Sequence, residues 1–228
     1  MKKTLLFLLL AVASAPAAFA QARPGGELSS KDYTGGAVTD SRNTGFGVKG
    51  GYNLSGLRGD DIKGIDRNSR NDFHAGVYGQ FGINEFSSVQ AELLYSRQGF
   101  EANIGAATGS IRQEYQTTYF MLPIMYVGNF TETLSFHIGP QVSLLTKAVL
   151  DDKDLDLSGN GFNTFDFGGV GGLEARVGPA RVGARYNLSL GKIFEDGNGG
   201  TSLVDPRFRD GDLYNNLVQV YVGIGLTQ

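Results

Sequence analysis

Apolar residues recur at every second position through much of this chain. The clearest runs are Phe46-x-Val48-x-x-x-Tyr52-x-Leu54, Val89-x-Ala91-x-Leu93-x-Tyr95, Phe120-x-Leu122-x-Ile124-x-Tyr126, Leu134-x-Phe136-x-Ile138 and Val218-x-Val220-x-Val222-x-Ile224-x-Leu226. A period of two places such side chains on one face of a β-strand and the intervening residues on the other. The pattern predicts eight strands, at about 45–54, 72–83, 87–99, 114–127, 133–147, 164–177, 180–190 and 214–227.

The connections alternate in length. Segments 84–86, 128–132 and 178–179 are short and carry ordinary turn residues, whereas 55–71, 100–113, 148–163 and 191–213 are long, polar and charged. An open soluble sheet has no reason to sort its loops in this way. The expected fold is therefore all-β: an eight-stranded antiparallel up-and-down transmembrane β-barrel with short periplasmic turns and long extracellular loops.

The face opposite the apolar one carries Lys49, Asn53, Gln80, Gln90, Glu92, His137 and Gln141. It continues with Asp166, Glu174, Arg176, Arg181, Arg185, Asn187 and Gln219. In a membrane barrel these point inward, and eight strands enclose a space that side chains fill. Lys49, Arg176, Arg181 and Arg185 set against Glu92, Asp166 and Glu174 would nearly neutralise one another, as buried charge requires. In the reverse arrangement, a soluble lipocalin-like carrier of an apolar ligand, the charges would meet water and the apolar set would fill the interior. Phe46, Phe73, Phe81, Tyr95, Tyr126, Phe165 and Tyr186, near strand ends, suit interfacial girdles. Pro123 and Pro140 fall inside predicted strands, and local bulges are expected there.

The ends supply the compartment. Residues 1–20 read as an export signal, with Lys2 and Lys3, an apolar run from Leu5 to Val12, and Ala18-Phe19-Ala20 as an A-x-A site cleaved after Ala20. Residues 21–44 read as a flexible periplasmic leader and 45–228 as the barrel domain, placed in the cell outer membrane.

Composition narrows the chemistry. The chain of 228 residues has a net charge of −3, which offers nothing to a nucleic-acid backbone. It has no Cys, hence no disulfide, thiol catalysis or thiolate metal site. Its 34 Gly residues would weaken helices but suit the bends of a small barrel.

Candidate sites are weak. His137 could join Ser135 or Ser143 and a carboxylate in nucleophilic hydrolysis, but nothing in the spacing brings them together. His74 precedes an apolar stretch. Asp152-x-Asp154-x-Asp156 begins like a calcium loop, yet Leu157 and Asn163 stand where the pattern needs Gly and Glu. Asp60-Asp61 and Glu195-Asp196 read as solvated acidic loop. Glu92 beside Arg176, Arg181 or Arg185 could be a general acid with a cationic stabiliser, or part of an ion-paired plug. The glycines of Gly168-Gly169-Val170-Gly171-Gly172 open no helix and so cradle no phosphate. No catalytic, cofactor-binding or metal-binding residue and no cofactor is assigned. The expected surroundings are outer-membrane lipid and, through the loops, other envelope proteins, with the chain a monomer that binds no nucleic acid.

Four segments resemble the PorT-type family of small bacterial outer-membrane β-barrel proteins. They are Gly47-Val48-Lys49-Gly50-Gly51-Tyr52-Asn53-Leu54-Ser55, Gln90-Ala91-Glu92-Leu93-Leu94-Tyr95-Ser96-Arg97-Gln98-Gly99, Tyr119-Phe120-Met121-Leu122-Pro123 with Gly139-Pro140, and Ala184-Arg185-Tyr186. The resemblance implies the barrel fold, a Gram-negative outer-membrane location and no cofactor, and it makes both prolines expected. One family member gives the name through a role in protein secretion.

Overall fold

The computed structural model describes residues 44–59, 63, 65–106, 109–157, 160–194, 204, 206–208 and 211–226. The expected export signal, all of the leader except Thr44, Asp60-Asp61 and Glu195-Asp196 lie outside these residues. Among the described residues no helix is long and apolar enough to cross a membrane.

Eight long strands close into a ring. They are β1 (Gly45–Gly59), β2 (Ile65–Gly82), β3 (Ser87–Ala106), β4 (Gly109–Asn129) and β5 (Leu134–Leu150). After a short β6 (Lys153–Leu155) come β7 (Phe165–Val177), β8 (Ala180–Lys192) and β9 (Leu213–Gly225). Each long strand pairs antiparallel with its neighbours in sequence, β5 pairs with β7, and β1 closes on β9. Tyr52, for example, stands between Phe73 on β2 and Val220 on β9. Every expected strand is present, and closure leaves no membrane-level edge to be satisfied in hydrocarbon.

The apolar face looks outward. Leu93 is 38% exposed, Ile124 44% and Val222 52%, while Lys49, Glu92 and Arg185 are at most 4% exposed. A lipocalin-like carrier would show the opposite. Ring contacts mark both ends of the lipid-facing band: Phe73, Tyr95 and Phe120 lie about 6 Å apart in succession towards the extracellular end, and Phe136 packs on Tyr126 and Phe130 at the other.

Three expectations need correction. First, much of the expected loops 55–71 and 100–113 is strand. β1 runs on to Gly59, β2 starts at Ile65, and the β3–β4 ladder continues to the pair Ala106 and Gly109. In these extensions the hydrophobic phase reverses: Phe100, Ala102 and Ile104 are buried inside, and Glu101 and Asn103 face out. Beyond the membrane the outer surface meets water, so the apolar side of the strand turns inward.

Second, neither proline sits at a bulge. The β3–β4 register is the same on both sides of Pro123, and the β4–β5 register on both sides of Pro140, with two residue pairs missing from the ladder at each. The absent N–H interrupts the ladder without shifting it. Register shifts occur instead between Ser69 and His74, between Thr118 and Tyr119, and between Leu188 and Lys192.

Third, the 148–163 segment contains the β5–β6 hairpin. Asp151 and Asp152 turn it with φ of 46° and 65°, the pair of positive values that a type I′ turn requires.

Candidate functional site

The side chains that alternation sends inward stack in three layers along the barrel axis. The periplasmic layer is ionic. Glu92 accepts from Lys49 Nζ at 2.6 Å, Gln90 Nε2 at 2.6 Å and Arg185 Nη1 at 2.6 Å. Arg185 Nε donates to Gln219 Oε1 at 2.7 Å, and Gln219 Nε2 passes the chain on to Asn53 Oδ1 at 2.8 Å. Asn53 holds Ser96 Oγ at 3.0 Å and lies 2.7 Å from His74 Nδ1. Glu174 forms a second centre: Arg181 Nη1 lies 3.2 Å and Arg176 Nε 3.8 Å from one oxygen, and the Tyr221 hydroxyl donates to the other at 3.1 Å.

Almost every inward residue expected from the sequence is therefore in place. The pairing differs in one respect. Asp166 does not join the cations; it lies towards the extracellular end, where its Oδ1 accepts from Ser189 Oγ at 2.6 Å and Gly191 N at 3.1 Å. The ionic layer thus divides into a Glu92 centre and a Glu174 centre rather than one balanced set.

Two aromatic members of this layer were not expected. Lys49 Nζ sits 4.0 Å from the Tyr221 ring centre, and the Arg181 guanidinium 4.7 Å from that of Tyr78. Such contacts stabilise cations where water is excluded. Parity alone could have found them, since Tyr221 shares its face with Gln219 and Tyr78 with Gln80. Gly183 lies under the Tyr221 ring and Gly47 under that of Tyr78, where an added Cβ would collide. Part of the glycine content is thus space for these rings.

The extracellular layer is apolar, and sequence reasoning missed it. Phe208, in a 3₁₀ turn at Pro206–Phe208, is fully buried in the barrel mouth. Its ring lies 5.6 Å from Phe100, 5.5 Å from Tyr115 and 6.3 Å from Phe194, and Phe162 stacks behind Phe194 at 5.0 Å. Connections read as polar and solvated return Phe162, Phe194 and Phe208 to the axis, where β3 and β4 supply Phe100 and Tyr115. Between cap and ionic layer lies a thin polar layer around Gln141, Asn187 and Asn215.

The candidate chemistry does not assemble. Ser135 Oγ does meet His137 Nε2, at 3.2 Å, a contact that the spacing did not foretell. Glu174 approaches the same nitrogen at 3.8 Å, whereas a triad needs the carboxylate on the other ring nitrogen. Both Ser135 and His137 are buried. Asp154 pairs with Lys147 at 2.8 Å, and Asp151 accepts from Glu114 N at 2.9 Å. Among the described residues no three His, Cys, Asp or Glu gather as metal ligands.

Comparison with known proteins follows the fold. A family model described as outer membrane protein beta-barrel domain matches residues 19–195. The chain belongs to this family and is an outer-membrane β-barrel protein. Solved structures similar to it include Ail, the attachment invasion locus protein of Yersinia pestis, at 11% identity and TM-score 0.45, covering 81% of this chain and 99% of Ail. Neisserial surface protein A is similar at 14% identity and TM-score 0.46, covering 78% and 96%. OprG from Pseudomonas aeruginosa is similar at 13% and 0.42, covering 81% and 97%. No curated protein sequence matches the chain.

Proposed function

We propose that this member of the outer-membrane β-barrel family is a closed, non-enzymatic barrel whose work is done at its extracellular rim, as a structural element or a contact surface for other envelope components. The observation that carries this reading is the filled interior: an ionic layer and an aromatic cap occupy the axis in series. Among the described residues an axis so filled leaves no aqueous path for a solute, and on this reading the rim and the lipid-facing wall are the working surfaces. On this reading residues 1–20 are removed on export, the leader stays periplasmic and the barrel acts as a monomer.

The test uses whole cells. Photo-crosslinkers placed at the exposed rim residues Arg112 and Asp154 are expected to capture envelope proteins, and purified protein in planar bilayers is expected to pass no steady current. Stable single-channel conductance would overturn the closed-barrel reading.

The PorT-type resemblance of residues 90–99 favours one alternative, a barrel assisting protein secretion or envelope assembly. Deleting the gene and measuring secreted protein separates the two, because a purely structural rim protein leaves secretion unchanged.

A further inference from the structure

The thin polar layer borders a cavity of about 10 Å³, room for one small particle. The relay beneath it decides which atoms are left over there. Asn53 Nδ2 is held by the main-chain carbonyls of Phe73, at 3.1 Å, and Arg97, at 2.6 Å, so its Oδ1 accepts from Gln219 Nε2. Gln219 Oε1 therefore takes Arg185 Nε at 2.7 Å and Asn187 Nδ2 at 3.0 Å. Asn187, which lines the cavity, is left with a buried Oδ1 that has no partner, in a residue 3% exposed. Gln141 lines it too: its Nε2 donates to Ser143 Oγ at 3.4 Å, and its Oε1 is likewise buried without a partner. Two bordering donors are already spent, Gln98 Nε2 on Ser96 Oγ at 3.2 Å and Asn215 Nδ2 on the Tyr119 hydroxyl at 3.0 Å.

Asp166 brings charge to the same cavity. Its Oδ1 accepts from Ser189 Oγ and Gly191 N, and it makes no ion pair with a described Lys, Arg or His. Arg58 is near enough to act on it electrostatically, yet gives its Nη2 to the Ser189 carbonyl. The strand register gathers these oxygens. Gln141, Gly168 and Ser189 pair on one rung across β5, β7 and β8, and Ser143 faces Asp166 two residues along. Gly168 adds no side chain to its rung, which leaves space among the oxygens. One carboxylate with amide oxygens is a donor set for a hard cation. A water would satisfy the two amides but would leave the carboxylate without a counter-charge.

We infer that this cavity binds one monovalent cation of sodium size, ligated by the Asp166 carboxylate and the amide oxygens of Gln141 and Asn187. A single carboxylate balances a single positive charge, which favours a monovalent over a divalent ion. The ion ties β5, β7 and β8 together at this height. It is held rather than passed on, because Glu92 with Lys49 and Arg185 closes the axis on the periplasmic side. The inference is therefore independent of any work done at the rim.

Full-length protein is folded in detergent micelles at fixed, mildly alkaline pH and constant ionic strength, with sodium, potassium or N-methylglucamine chloride. The ion is loaded as the barrel forms, so no entry path through the finished wall is needed. Urea unfolding is expected to give a folding equilibrium constant at least about tenfold higher in saturating sodium than in N-methylglucamine, as a ligand at about ten times its Kd does, with potassium well below sodium. Asp166→Asn keeps an acceptor for Ser189 and Gly191 but removes the charge, and Gln141→Leu removes one amide oxygen. Both are expected to lose the sodium response, while Lys147→Ala at the surface keeps it. Heat-modifiable migration reports folding of each variant. Sodium NMR line broadening by the folded wild type, lost in Gln141→Leu, is the second readout and decides the matter where Asp166→Asn fails to fold. Equal stability in the three salts would overturn the cation and leave a single water in the cavity. Potassium matching sodium would overturn the sodium-sized site. A sodium response kept in full by Gln141→Leu would overturn the ligand set.

Discussion

The two ends of the interior are built on opposite principles. Near the periplasm, Lys49, Arg181, Arg185, Glu92 and Glu174 are almost fully buried and held in place by named hydrogen bonds. Near the outside, Phe100, Tyr115, Phe194 and Phe208 pack ring on ring. The difference follows what lies beyond the wall. At membrane depth the outer face must be apolar, so polar residues have only the axis to occupy, and charge buried there must be paired. Above the membrane the outer face meets water and the interior can be an ordinary hydrophobic core. One strand serves both regimes: β3 sends Glu92 inward at one height and Phe100 at another.

The contrast can be broken at either end. The largest effect is expected at Glu92. Glu92→Leu leaves Lys49 and Arg185 buried without their carboxylate, and removing one partner of a buried pair costs about 3–5 kcal/mol. Urea unfolding in detergent micelles should show the whole barrel destabilised, with heat-modifiable migration lost at lower denaturant. Phe208→Ala comes next. Loss of a buried phenyl group costs about 3 kcal/mol, but here it should fall on the cap alone. Limited proteolysis should cut near residue 208 faster while the barrel keeps its heat-modifiable migration. If this change unfolds the barrel as one unit, the two layers are a single cooperative core.

A smaller change sharpens the picture of the ionic layer. Tyr221→Phe removes the hydroxyl that donates to Glu174 but keeps the ring beside Lys49, and should cost about 1 kcal/mol. Lys147→Ala, which breaks the solvent-exposed pair with Asp154, should change stability by less than about 0.5 kcal/mol in the same unfolding assay.

The period-two alternation made the ring and its inside legible, because parity is a property of each strand alone. Asn53, Gln90, Glu92 and Arg185 could be placed within the lumen from neighbours two residues away. Other features depend on what surrounds a residue. The extensions of β2 and β3 looked like loop because Ile65, Phe100 and Ile104 are apolar on the face that is polar lower down. Phe208 gave no signal, since a lone aromatic among Pro206, Arg207 and Arg209 carries no period and is buried only by the return of its connection. Ser135 and His137 share a face two residues apart, a contact that alternation permits but does not require. The prolines misled because a missing N–H can leave a gap as readily as a bulge.

Among the described residues the wall is also of uneven height. From Tyr95 in the outer girdle, β3 continues for eleven more residues to Ala106, on the order of 30 Å along the strand. On the opposite side β8 stops at Lys192, six residues above Tyr186. Among the described residues the wall is therefore cut on a slant like a reed, tall at the β3–β4 hairpin and low at β8. On the proposed reading of the rim, a partner meets that hairpin before any other described strand.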